Sequence, residues 1–206
     1  MKRNPSSGVP LTVLAIALLA AANRLKGSPA KTSPLKDLKY LSLFSGIGGF
    51  ELGIESAIPS ASCIGYSEIC RDSAAIYSYH YPDHTNLGDV HTINWNQLPK
   101  YDLLVAGFPC TDLSVASTLR PGGRTHLQGK SSGPGLHTAI QAIWASRPAY
   151  FILENVASMT YGDRARITQI ITDQLGKTLD ANGRQLYPEI YVTRVNSAPM
   201  TGHIRS

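Results

Sequence analysis

From Lys39 onward, short apolar runs alternate with stretches whose apolar residues recur at helical spacing. The runs at 39–44 (KYLSLF), 61–67 (ASCIGYS), 101–108 (YDLLVAGF), 149–155 (AYFILEN) and 189–197 (EIYVTRVNS) read as strands. Between them, residues 50–57 place Phe50, Ile54 and Ala57 on one helical face. Residues 69–81 read as a helix ended by Pro82, and 136–146 and 164–175 as two more. Strands alternating with helices predict an α/β fold: a mainly parallel sheet with helices on both faces. In such sheets ligands bind beyond the carboxyl ends of the strands.

Residues 1–38 follow another pattern, so the chain divides into 1–38 and a core of 39–206. Leu11, Leu14, Leu18 and Ala22 fall on one stripe, widened by Val13 and Ile16, which predicts an apolar helix. SPAKTSPLKD after Gly27 reads as a linker. The apolar stretch from Val9 to Ala22 is shorter than the roughly 20 residues of a membrane-spanning helix, so no membrane partner is expected. Residues 111–135, rich in Gly, Ser and Thr, are too long for a plain connection.

Composition narrows the class. Of 206 residues, 43% are hydrophobic and 16% charged, enough to fill a core and exclude a disordered chain. Three Cys without paired spacing argue against a disulfide framework or a Cys-based zinc site. Pro82 separates His80 from His84 and spoils a helix-face metal pair, so no metal is expected. The net charge of +5 is unevenly spread: residues 1–39 carry +6, 40–112 carry −6 and 113–206 carry +5. One half of the core suits a cation and the other an anion, although surface charge also clusters by chance.

The residues that carry chemistry sit where strands end. SGIGG follows a strand and opens a helix, so its glycines let a ligand approach the backbone and the helix start offers free N–H groups. Gly46-x-Gly48-Gly49 lacks the full dinucleotide spacing and also fits a simple tight turn. Glu68, at the next strand end, is placed to accept ribose hydroxyls, or serves only as an acid at a helix start. Cys110, after Gly-Phe-Pro, is a candidate nucleophile or an inert, partly buried thiol. Cys63, inside a strand, is read as inert. Glu154 ends an apolar strand, so its carboxyl is expected to hold its proton more tightly, which suits proton donation; otherwise it caps the next segment.

Taken together, LFSGIGGFELG, Glu68 in YSEI, GDV at 88–90, AGFPCTDLS at 106–114 and LENV at 153–156 resemble, in order and spacing, the cytosine-5 DNA methyltransferases. The likeness covers residues 39–205 and implies a Rossmann-like methyltransferase fold. It implies that Phe44, Ser45, Gly46, Ile47, Gly48 and Gly49 wrap S-adenosyl-L-methionine, that Glu68 holds its ribose, and that Asp89 and Val90 read its adenine. Pro109 and Leu136 would line the same site. Cys110 would attack C6 of a cytosine flipped from double-stranded DNA, with Glu154 bonding the ring and Arg205 completing the catalytic set. Residues 111–135 would close over the DNA, with Ser114, Arg120, Arg124 and Lys130 as DNA contacts.

The chain also departs from the family pattern. Thr111 stands where the family usually has Gln, Ile69 where an aromatic is common, and Arg205 alone where an Arg-x-Arg pair is usual. The target-recognition region is missing, so the chain reads either as one part of a two-piece enzyme, with a second polypeptide carrying that region, or as a truncated product. Ser6-Ser7-Gly8-Val9-Pro10 before the apolar stretch resembles the family's last motif moved to the front, as in circularly permuted members. The rival is a secretory signal with Ala20-x-Ala22 as the cleavage site. A bacterial or phage-infected cytoplasm is the expected location. Two other functions stay open: a catalytically incomplete cofactor-binding or regulatory relative, and a nicotinamide-dependent dehydrogenase on the same fold.

Overall fold

A computed structural model of the chain describes residues 14–21, 36–109, 132–156 and 165–196. Its sheet contains β1 (Leu14–Ala21), β2 (Lys39–Leu43), β3 (Ser62–Ser67), β4 (Leu103–Gly107), β5 (Tyr150–Val156) and β6 (Ile190–Asn196). The helices are α1 (Gly49–Ala57), α2 (Arg71–His80), α3 (Ser132–Ser146) and α4 (Ala165–Gly176). Two 3-10 turns, Val90–Thr92 and Trp95–Gln97, lie between α2 and β4.

The strand order is β3-β2-β4-β5-β1-β6. The first four strands are mutually parallel, as the alternating pattern requires. Successive side chains of a strand point to opposite faces, and both faces are covered here. Along β2 and β4, Tyr40, Leu103 and Val105 turn to one side, where they join Leu38 and Ile54 of α1. Leu41, Leu43, Leu104 and Ala106 turn to the other, against Leu136, Ala139, Ile140 and Ile143 of α3 and Ile171 and Leu175 of α4. Burial on both sides explains why these strands read as continuous apolar runs.

Two expectations need correction. Leu14–Ala21 is a strand, not part of an apolar helix, and it runs antiparallel to both β5 and β6. A short apolar run without polar punctuation has no periodicity to separate helix from strand. Here the deciding gain is pairing: the run satisfies the open edges of two strands at once. Secondly, α3 begins at Ser132, inside the stretch expected to be loop. Gly133-Pro134-Gly135 looks like loop chemistry, yet proline is tolerated in a helix's first turn, where its missing N–H has no partner to lose. The displaced-motif residues 6–10, the linker after Gly27 and most of the 111–135 loop lie outside the described residues.

Candidate active site

The carboxyl ends of β2, β3 and β4 open on a cleft of about 400 Å3. Its walls are Phe44, Ser67, Glu68, Ile69, Asp89, Val90, His91, Gly107, Pro109 and Gly135. A volume of this order suits a small organic ligand.

The floor is the turn after β2. Phe44 takes a left-handed conformation at φ 55°, uncommon for a bulky side chain, and Gly46 and Gly48 follow at 57° and 94°. Strain at such a residue persists only where its surroundings hold it. Ser45 N donates to Ser67 O at 3.1 Å and Gly48 N to Ser45 O at 3.0 Å. The Ser45 hydroxyl donates to Ser42 Oγ at 2.8 Å in the buried layer beneath.

Glu68 joins that turn to the next helix. Its Oε2 accepts from Gly46 N at 2.8 Å and its Oε1 from Cys70 N at 2.7 Å. It therefore serves the start of α2 and the glycine turn together. An ionised carboxylate has about four lone-pair sites, so acceptor capacity remains for a ligand. Asp89, also in the lining, is exposed, and its Oδ1 accepts from His91 N at 2.9 Å. Among the same walls, Ile69 is 72% exposed and Val90 is buried, so the cleft offers apolar surface as well as two carboxylates.

The other wall joins β4 to β5. Gly107 lies under Glu154: a Cβ built at Gly107 would stand 3.3 Å from Glu154 Oε2. A Cβ on Gly135 would stand 3.2 Å from Pro109 Cδ and 3.5 Å from Phe44 Cζ. Both glycines permit close approach of neighbours rather than unusual dihedrals. Burial raises the pKa of Glu154, as its place at the end of an apolar strand implies. Buried Asn155 donates from Nδ2 to Phe108 O at 2.9 Å and so fixes the backbone leading into Pro109.

The cleft thus brings together Phe44, Glu68, Asp89, Val90 and Pro109, with Glu154 against its Gly107 wall. Ser45, Gly46, Ile47, Gly48 and Gly49 form the turn behind Phe44 and are not among the lining residues. Leu136 is 2% exposed and packs in the core beside lining residue Gly135. Cys110, Ser114, Arg120, Arg124, Lys130 and Arg205 lie outside the described residues. Ser67, His91, Gly107 and Gly135 are additional wall residues. His91 directly follows Gly88-Asp89-Val90 in sequence and Gly107 directly precedes Phe108-Pro109-Cys110, a signal that was available.

The family model of C-5 cytosine-specific DNA methylase matches residues 38–181, well over half of the chain. The chain belongs to that family. Type II methyltransferase M.NgoBV of Neisseria gonorrhoeae is 32% identical over 149 residues, which are 70% of this chain and 33% of that protein. Type II methyltransferase M.NlaX of Neisseria lactamica is 30% identical over 156 residues, 76% of this chain and 47% of that one. Orphan methyltransferase M.Rho11sI of Bacillus phage rho11s is 34% identical over 147 residues, 69% and 28%. Among solved structures, S. pombe Dnmt2 methyltransferase gives a TM-score of 0.48 at 19% identity, over 68% of this chain and 40% of that chain. The chain spans 28–47% of the length of these three curated relatives. Membership in this methylase family is consistent with the Rossmann-like α/β fold. Among the described residues, no helix is long and apolar enough to cross a membrane.

Proposed function

We propose that this chain is the catalytic core of a DNA (cytosine-5-)-methyltransferase that uses S-adenosyl-L-methionine and acts on double-stranded DNA, alone or with a recognition polypeptide. The observation that carries the reading is the cleft that gathers Phe44, Glu68, Asp89 and Pro109, with Glu154 beside its Gly107 wall, in a chain of this family. The donor set fits the cofactor. Glu68 has acceptor capacity left for ribose hydroxyls, Ile69 and Val90 offer apolar surface to an adenine, and two carboxylates favour a cation. When bound, the cofactor supplies an electrophilic methyl group on a sulfonium.

The chain's own residues supply the rest. The Cys110 thiolate adds to C6 of a flipped cytosine, which makes C5 nucleophilic. Glu154, held toward its protonated form by burial, donates to ring N3 while its other oxygen accepts from the exocyclic amine. After methylation, loss of the C5 proton and departure of the Cys110 sulfur restore the ring. Arg205 completes the catalytic set, and Ser114, Arg120, Arg124 and Lys130 hold the DNA. A bacterial or phage-infected cytoplasm provides both substrates.

The test pairs calorimetric titration of the full chain with S-adenosylhomocysteine and transfer of labelled methyl to DNA, with cell extract as the source of a recognition subunit. Saturable binding, and incorporation that Cys110→Ala abolishes while binding is kept, is the expected result. Incorporation unchanged in Cys110→Ala would sink catalysis by this chain. The alternative reading is a cofactor-binding relative of the family that is catalytically incomplete. Binding without incorporation under any supplementation would support it.

A further inference from the structure

Glu68 and Asp89 both line the cleft from different segments, and one exposed side chain ties those segments together. Asn86 lies in the strand-like stretch that runs beside the end of β3: Tyr66 N donates to Thr85 O at 3.0 Å and Leu87 N to Tyr66 O at 2.7 Å. Asn86 Nδ2 donates to Glu68 O at 3.1 Å, and its Oδ1 accepts from Glu68 N at 3.4 Å. The same oxygen accepts from Gly88 N at 2.9 Å, one residue before Asp89. The amide orientation is self-consistent, since a flipped amide would set its donors against two N–H groups and its acceptor against a carbonyl. Below it, the Ser67 hydroxyl donates to Gly88 O at 2.7 Å.

We propose that Asn86 is a positioning residue: by bonding both backbone groups of Glu68 and the N–H of Gly88, it sets the separation of the two carboxylates that grip the cofactor. This rests on the reading of the cleft as the S-adenosylmethionine site. Asn86 does not line the cleft, so it acts only through its neighbours. The Glu68 carboxylate is already held by Gly46 and Cys70, which leaves its backbone as the free variable, and that is where Asn86 bonds.

A double-mutant cycle on the full chain tests this, with S-adenosylhomocysteine titrated to millimolar concentration into wild type, Asn86→Ala, Glu68→Ala and the double variant. Misplacement of the Glu68 carboxylate is expected to weaken binding about tenfold in Asn86→Ala. In the Glu68→Ala background the same change is expected to cost less than about twofold, because the group being positioned is gone. Asn86→Asp keeps the acceptor toward Gly88 but sets a second acceptor against Glu68 O, so it is expected to bind as weakly as Asn86→Ala. The lost bonds also cost the fold some stability, so melting temperatures of the Asn86 variants should fall by roughly 2–15 °C, and binding is titrated well below them. Equal losses in both backgrounds, or wild-type affinity in Asn86→Ala, would overturn the proposal alone. A folded wild-type chain without saturable binding would overturn the reading of the cleft and this proposal with it.

Discussion

Gly48 caps α1 with φ 94° and ψ 33°. An alanine there would place its Cβ 2.5 Å from Tyr81 Cε2 and 3.1 Å from Cδ2. The ring is not free to swing aside. Its hydroxyl donates to Gly48 O at 3.3 Å, it stacks on His84 with centroids 5.1 Å apart, and it leans on Tyr77 at 5.1 Å. Ordinary contact requires the ring to retreat by about 1 Å, which disturbs all three. The left-handed backbone costs an L-residue about 1–2 kcal/mol. Overpacking adds about 1–3 kcal/mol. The sum, about 2–5 kcal/mol, corresponds to a melting temperature lower by roughly 5–20 °C in a chain of this size. Scanning calorimetry of Gly48→Ala, Tyr81→Ala and the double variant separates the two costs. In the Tyr81→Ala background the ring is gone, and Gly48→Ala is expected to cost only about 1–2 kcal/mol. The same loss in both backgrounds would refute the ring as the obstacle. A melting temperature within about a degree of wild type would refute the strained backbone itself.

Two further outcomes follow from buried and exposed titratable groups. Glu51 is fully buried, and neither carboxylate oxygen has a hydrogen-bond partner. Ser42, Tyr77 and His84 lie close enough to favour its charge, but burial prevails and raises its pKa. An acid shifted upward stabilises the fold below its unfolded value of about 4.3, and that stability is lost as pH rises toward the folded value. Glu51→Gln should therefore change little near pH 4.5 and stabilise by about 1–2 kcal/mol at pH 8, read as a difference in melting temperature; a pH-independent difference would contradict this. Cys70, exposed at the start of α2, has its thiol pKa lowered by Ser73 and by the backbone N–H of Asp72, whereas burial pushes Cys63 up to about 11. Peptide-resolved alkylation at pH 7.5 should label Cys70 well ahead of Cys63, and comparable rates would contradict the assignment.

The legible parts of this fold share a physical cause. The strands β2 and β4 are buried on both faces and read as apolar runs, and Glu68 and Pro109 stand out because they follow strand ends, whereas Asp89 is implied by the family resemblance alone. β1 did not, because eight apolar residues in a row carry no period and only the two open strand edges decide their state. Asn86 was invisible because its role is set by how closely two loops approach. Glu51 lies three residues before Ile54 on the inner face of α1, so helical spacing pointed inward, but an acid argues for the surface. The glycines at 107 and 135 serve neighbours distant in sequence, which no local pattern encodes.

The placement of β1 also orders events in time. It is synthesised before any of its partners, yet Ala21 pairs with Tyr150 and Leu14 with Asn196. At about 5–20 residues per second, the segment waits roughly ten to forty seconds before β6 exists. Until β5 is made this uncharged apolar strand has two unsatisfied edges, and until β6 is made it has one, the form most prone to pair with another nascent chain. Closing the sheet then demands contacts across most of the polypeptide, which slows folding even where the finished structure is stable. Yield in the cell therefore depends on what shelters residues 14–21 during translation as much as on the stability of the completed sheet.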